Sequence, residues 1–121
     1  MELKRLEGLF TVCKAASAAE INLDDDFCFV GKTDEELSVV CREEHAPRNS
    51  TAREDGWRGF RIEGTLDFSL TGILSRLSGI LAAEKIGIFA LSTFNTDYIF
   101  VKAEHFDRAM DALARAGYTA T

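Results

Sequence analysis

Two polar segments in the second half of the chain hold the residue types that can bind a small charged molecule. The first is Gly64-Thr65-Leu66-Asp67-Phe68-Ser69-Leu70-Thr71-Gly72-Ile73, which leads directly into an apolar stripe at helical spacing. Backbone N–H groups at the start of a helix have no partner within the helix, and the positive end of the helix dipole stands behind them. Such a place suits a carboxylate, and Gly72 lets a ligand come close to the backbone. The alternative is that Asp67 or Ser69 does no more than cap the helix. The second segment is Ser92-Thr93-Phe94-Asn95-Thr96-Asp97. Thr93 and Asn95 offer neutral hydrogen bonds and Asp97 a negative charge for an ammonium group. The alternative is a tight turn, since Asn and Asp favour turns by themselves. Together, an anion-binding helix end, a carboxylate and small hydroxyls match a zwitterion such as a free amino acid.

Other chemistry is poorly represented. The sequence has no Gly-x-Ser-x-Gly, no Gly-x-x-x-x-Gly-Lys, no Gly-x-Gly-x-x-Gly and no His-Glu-x-x-His. His45 and His105 lack a second ligand at helical or hairpin spacing. Asp24-Asp25-Asp26 lacks the alternation and glycine of a calcium loop and reads as a solvated acidic loop. The expectation is therefore no catalytic residues, no metal and no cofactor.

The elements that must carry the two segments are legible from periodicity. Leu70, Ile73, Leu74, Leu77, Ile80 and Leu81 form one apolar face of a helix over about 70–84. Phe106, Met110, Leu113 and Ala114 predict a second helix over about 104–116, stopped by Gly117. Between them, Ile86–Leu91 and Tyr98–Val101 read as strands joined through Ser92–Asp97. Trp57–Glu63, with Phe60 and Ile62 on one face, is a strand upstream, and Tyr118–Ala120 is a short final one. The order β-α-β-β-α-β is ferredoxin-like, an antiparallel sheet with two helices on one face. The first half repeats part of this with strands at Leu9–Lys14, Phe27–Lys32 and Leu37–Cys41. Its connection Ala15–Asp26 is too short and too acidic for a full helix and reads as one turn and a loop. Arg42–Gly56 reads as a long loop or hinge. The fold class expected is α+β: two ferredoxin-like halves, the first abbreviated, fused into one unit. The halves are 1–56 and 57–121.

Composition narrows the partners. The 121 residues carry 20 acidic and 14 basic side chains, a net charge of −6 with neutral histidines. That argues against nucleic acid and anionic membranes, which need clustered Lys and Arg. No apolar run reaches the ~20 residues of a spanning helix, and the N-terminus lacks the apolar block of a signal peptide. Cys13, Cys28 and Cys41 each sit in an apolar stretch and read as buried reduced thiols, which places the protein in the cytoplasm.

The two long segments also carry a family likeness. Asp67-Phe68-Ser69-Leu70-Thr71-Gly72-Ile73-Leu74, followed by Ile88–Val101, resembles the small tandem ACT-domain proteins related to the regulatory region of aspartate kinase. Asp34–Cys41, Glu43-Glu44 and Gly56-Trp57-Arg58 fit the same group. The chain is also similar to cytosolic arginine sensors, which carry a Ser-Thr-Phe-x-x-Asp segment near their ligand. It departs from the group at Ala19-Glu20-Ile21-Asn22, where members usually have a Pro and a Trp. The resemblance implies a ferredoxin-like module that binds an amino acid between its two halves, with Thr71, Gly72, Ile73, Thr93, Phe94 and Asp97 lining the pocket. It implies a regulatory, non-catalytic protein with no kinase segment. The competing reading is an interaction protein that forms homodimers or docks on an enzyme without a ligand. A hydrolase of the acylphosphatase type would need an Arg and an Asn converging on a phosphate, and Arg58 and Asn95 qualify by type alone.

Overall fold

The computed structural model describes residues 1–63 and 72–121 of the chain, a mixed α+β fold. It divides into two compact units, Gly8–Trp57 and Met1–Glu7 with Arg58–Thr121.

The unit Gly8–Trp57 is built on four strands. They are β2 (Phe10–Lys14), β3 (Cys28–Lys32), β4 (Leu37–Arg42) and the first residues of β5 (Ala52–Ile62). The spatial order is β3-β4-β2-β5, with every neighbour antiparallel. No α-helix forms within this unit. The connection 15–27 forms only a 3-10 turn at Ala18–Glu20, capped by Ser17, whose Oγ accepts from the Ala19 N–H at 3.2 Å. A second 3-10 turn, Glu43–His45, follows β4. The core is accordingly small: Cys13, Ala15, Val39 and Cys41 are buried, with Ile21, Cys28 and Leu37 packed against them. All three cysteines are free thiols.

The other unit opens on β1 (Glu2–Arg5), an element that the residue pattern does not announce. β1 lies antiparallel to the end of β5 and parallel to β8 (Thr119–Ala120). The sheet continues from β5 to β7 (Asp97–Lys102) and then β6 (Ile88–Ser92). Two helices, α1 (Ile73–Ala83) and α2 (Phe106–Arg115), supply the apolar stripes that close the core. Leu77 and Leu81 of α1 and Phe106, Ala109, Met110 and Leu113 of α2 are buried together with Leu3, Phe60, Ile62, Ile99 and Val101. Each such aliphatic or aromatic side chain contributes about 1.5–3 kcal/mol by leaving water. α2 ends as its sequence indicates: Gly117 takes φ 102° and the Tyr118 N–H returns to the Leu113 carbonyl.

Three expectations change. The first helix starts at Ile73, and the residues before Gly72 lie outside the described ones. The second helix is preceded by a 3-10 turn at Ala103–His105. The stretch read as a loop over Arg42–Gly56 becomes strand from Ala52 onward. There the ladder to β2 holds polar residues extended, and Gly56, at φ 86°, marks an irregular register instead of a turn. Its N–H donates to the Glu43 carboxylate at 2.7 Å.

The two hairpins repeat one another. β3, β4 and the following 3-10 turn reappear as β6, β7 and theirs, each displaced by sixty residues. Both turns begin with a threonine, Thr33 or Thr93, whose N–H bonds the carbonyl three residues on at 2.9 Å.

Candidate functional site

The hairpin β6–β7 positions the second polar segment. Its register pairs Ser92 with Asp97, so these two side chains leave the ladder on the same face at the base of the turn. The Ser92 hydroxyl donates to the Asp97 Oδ1 at 2.6 Å. A bond this short to a carboxylate is charge-assisted, and it orients the Asp97 side chain at the base of the turn. Asp97 is half-buried, and a charge so placed interacts more strongly with a nearby opposite charge than one in open solvent.

Thr93 builds the turn itself. Its hydroxyl donates to the Thr96 carbonyl at 2.9 Å and accepts from the Thr96 N–H at 3.3 Å. Thr96, which the residue pattern does not single out, is the anchor. It is buried, and its hydroxyl donates to the Ile62 carbonyl at 2.7 Å, tying the turn to the end of β5. A threonine between Asn95 and Asp97 looks like ordinary turn composition, so only the fold reveals this bond. Phe94 and Asn95 stand at the tip, with Phe94 82% exposed. Next to Asp97, the Tyr98 hydroxyl accepts from Arg61 Nη1 at 3.3 Å. That bond, with the Glu63 carboxylate nearby, raises the Arg61 pKa against the lowering effect of burial.

From the first segment, Gly72 and Ile73 are described and Asp67, Ser69 and Thr71 lie outside the described residues. Gly72 occupies the N-cap position of α1 at φ 80°, in the left-handed region that glycine adopts without strain, and as a glycine it offers no side-chain cap of its own. Among the described residues nothing stands within 4 Å of an added Cβ at Gly72, and Gly72 is exposed. Ile73 begins the helix and packs on the core.

Among the described residues no group of three or more His, Cys, Asp or Glu could hold a metal ion. No helix among them is long and apolar enough to cross a membrane. His45 Nδ1 pairs with Asp25 Oδ2, so that histidine serves the loop that precedes β3. Burial raises the Cys28 and Cys41 thiols, that of Cys41 to about 12, which makes them poor nucleophiles.

Comparison with known proteins agrees with this architecture. Residues 52–115 match the family model described as the ACT domain. A crystal structure of a protein from Agrobacterium tumefaciens is 30% identical, over 99% of this chain and 91% of that one, with a TM-score of 0.85. The regulatory subunit of aspartate kinase from Thermus thermophilus, in its ligand-free form, shares the fold at 11% identity. That match covers 95% of this chain and 96% of that one, with a TM-score of 0.64. Aspartate kinase from Clostridium acetobutylicum, described as an allosteric enzyme, does so at 16% identity and a TM-score of 0.63, over 94% of this chain and 33% of that one. A search of curated protein sequences gave no match.

Proposed function

The chain belongs to the ACT-domain family, and from that premise we propose that it is a non-catalytic regulatory module that senses a free amino acid. The observation that carries this reading is the Ser92–Asp97 pair: a carboxylate held in place by a hydroxyl at the base of a rigid turn, suited to an α-ammonium group. The start of α1, with Gly72 at its N-cap, offers backbone N–H groups of the kind that bind a carboxylate. We assign Asp67, Ser69, Thr71, Gly72, Ile73, Ser92, Thr93, Phe94, Asn95 and Asp97 to the ligand site. The fold shared with the aspartate-kinase regulatory subunit, and the sequence resemblance of Ser92-Thr93-Phe94 with Asp97 to arginine sensors, make basic and aspartate-derived amino acids the first ligands we propose to try. We read 1–56 and 57–121 as the two ACT-like halves, and place the protein in the cytoplasm, where its three thiols stay reduced.

Thermal denaturation in the presence of each of the twenty amino acids tests the proposal. A ligand at a hundredfold excess over its Kd stabilises by about 2.7 kcal/mol, which for a chain of this size raises Tm by roughly 6–12 °C. Asp97→Ala should abolish that rise. If no amino acid shifts the wild type at 10 mM, the sensing role is wrong. The second reading, a ligand-free interaction protein that forms homodimers, draws on Phe94, a large apolar side chain displayed at the tip of the turn. It requires a dimer that dissociates on Phe94→Ser and ignores Asp97→Ala.

A further inference from the structure

The unit Gly8–Trp57 contains a cavity of about 750 Å³ that shares no residue with the Ser92–Asp97 hairpin. That volume lies within the roughly 300–1,000 Å³ of small-molecule sites. It arises from the shortened connection after β2. The ferredoxin-like order places a helix there, as α1 does in the other unit, with Leu77 and Leu81 pressed on the sheet. Here three residues of 3-10 turn take its position, and the sheet face beyond the small cysteine core is left partly uncovered.

The floor is apolar. Register pairs Val30 with Val39 and Lys32 with Leu37, so Val30 and Leu37 continue the face of Cys28 and Cys41 outward from the core. Ile21 and Leu23 add to the apolar lining. Leu23 is 72% exposed and Val30 44%. Among the described residues only five large apolar side chains are exposed, and two of them line this one cavity. The rim is acidic. Asp34, Glu35 and Glu36 stand on it, all exposed, against a single cation, Lys32, whose Nζ already donates to the Thr33 carbonyl at 2.9 Å. The Thr33 hydroxyl accepts from the Glu35 and Glu36 N–H groups at 3.1 and 3.2 Å, which fixes the turn that presents them.

We propose that this cavity is a second, separate binding site, and that it takes a small organic amine: a cationic head at the acidic rim and an apolar body against Val30, Leu37, Ile21 and Leu23. Charge decides the class. Three carboxylates against one engaged ammonium favour a cation, tolerate a zwitterion less and repel a carboxylate, because like charges near a low-dielectric wall are costly.

The test uses the full chain and three probes with one phenyl body: 2-phenylethylamine, phenylalanine and 3-phenylpropionate. Binding is read by amide chemical-shift changes in two-dimensional NMR and by calorimetry. The amine should bind, with shifts confined to 15–23 and 30–37, and at least tenfold more tightly than the propionate. The double variant E35Q/E36Q should weaken the amine about threefold to tenfold and narrow its lead over the propionate. Val30→Trp, on the exposed edge strand, should abolish binding by filling the cavity, with the remaining amide spectrum unchanged. Equal affinity for amine and propionate, shifts outside those segments, or no shift at 10 mM amine would each overturn the proposal. Failure at Asp97 leaves these shifts untouched, so the two sites stand or fall separately.

Discussion

Gly59→Ala tests the packing of the sheet that carries the hairpin. Gly59 is buried in β5, and an ideal Cβ built there stands 2.6, 2.8 and 3.2 Å from three carbons of the Phe100 ring. Ordinary carbon contacts lie at about 3.5–4.0 Å, so the ring must retreat by roughly 1 Å. It has little room. Phe100 is fully buried and stacks on Phe89, with centroids 4.8 Å apart and planes 11° from parallel. Overpacking of this kind costs about 1–3 kcal/mol. The backbone at Gly59 is not left-handed, so alanine also removes unfolded-state freedom and returns about 0.4–1 kcal/mol. The expected net loss is about 1–2 kcal/mol. With a urea m-value of about 2 kcal/mol/M, the midpoint falls by roughly 0.5–1 M, read by far-ultraviolet circular dichroism. Repeating the change in a Phe100→Leu background removes the obstructing ring, and there alanine should cost less than half as much. An unchanged or higher midpoint for Gly59→Ala, or the same loss in both backgrounds, would refute the reasoning.

Thr96→Val keeps the shape of the turn anchor but leaves the buried Ile62 carbonyl without its donor. It should cost about 1–3 kcal/mol in urea denaturation and reduce amino-acid binding at Asp97 with it. The Cys41 thiol, raised by burial from an ordinary 9.0 to about 12, sets a pH dependence. Between those values the unfolded chain releases a proton that the folded chain keeps, so stability is full below pH 9 and falls as pH rises. The slope approaches about 1.4 kcal/mol per pH unit. Urea midpoints measured from pH 8 to 10.5 should decline more steeply for the wild type than for Cys41→Ala.

The complete ferredoxin-like half was legible because its apolar residues recur at a clear period. The stripe Ile73, Leu74, Leu77, Ile80, Leu81 fixes α1, and β-branched runs fix β6 and β7 to within two residues. The abbreviated half was legible in its three apolar strands, and the shortness and acidity of 15–26 correctly excluded a full helix. What escaped lacked side-chain periodicity. β1 has one inward residue, Leu3, among Glu2, Lys4 and Arg5, and its place is set by backbone pairing on both sides. The start of β5 is polar, and Gly56 looks like a turn until the ladder shows it inside a strand. In the site, the chemistry of Ser92 and Asp97 could be read from residue types. Their mutual bond needed the register, and the anchoring role of Thr96 needed its contact with β5.

The position of β1 has a consequence for how the chain is made. One edge of β1 is closed by residues 119–121, through bonds from Thr119 to the Met1 carbonyl and from Thr121 to the Leu3 carbonyl, 118 residues apart. At about 5–20 residues per second, a ribosome needs roughly 6–24 s to deliver the strand that covers an edge it made first. An uncovered strand edge recruits other chains, and charged side chains along it are the common defence. Glu2, Lys4 and Arg5, which break the apolar alternation of β1, are charged side chains of the kind that discourage such pairing.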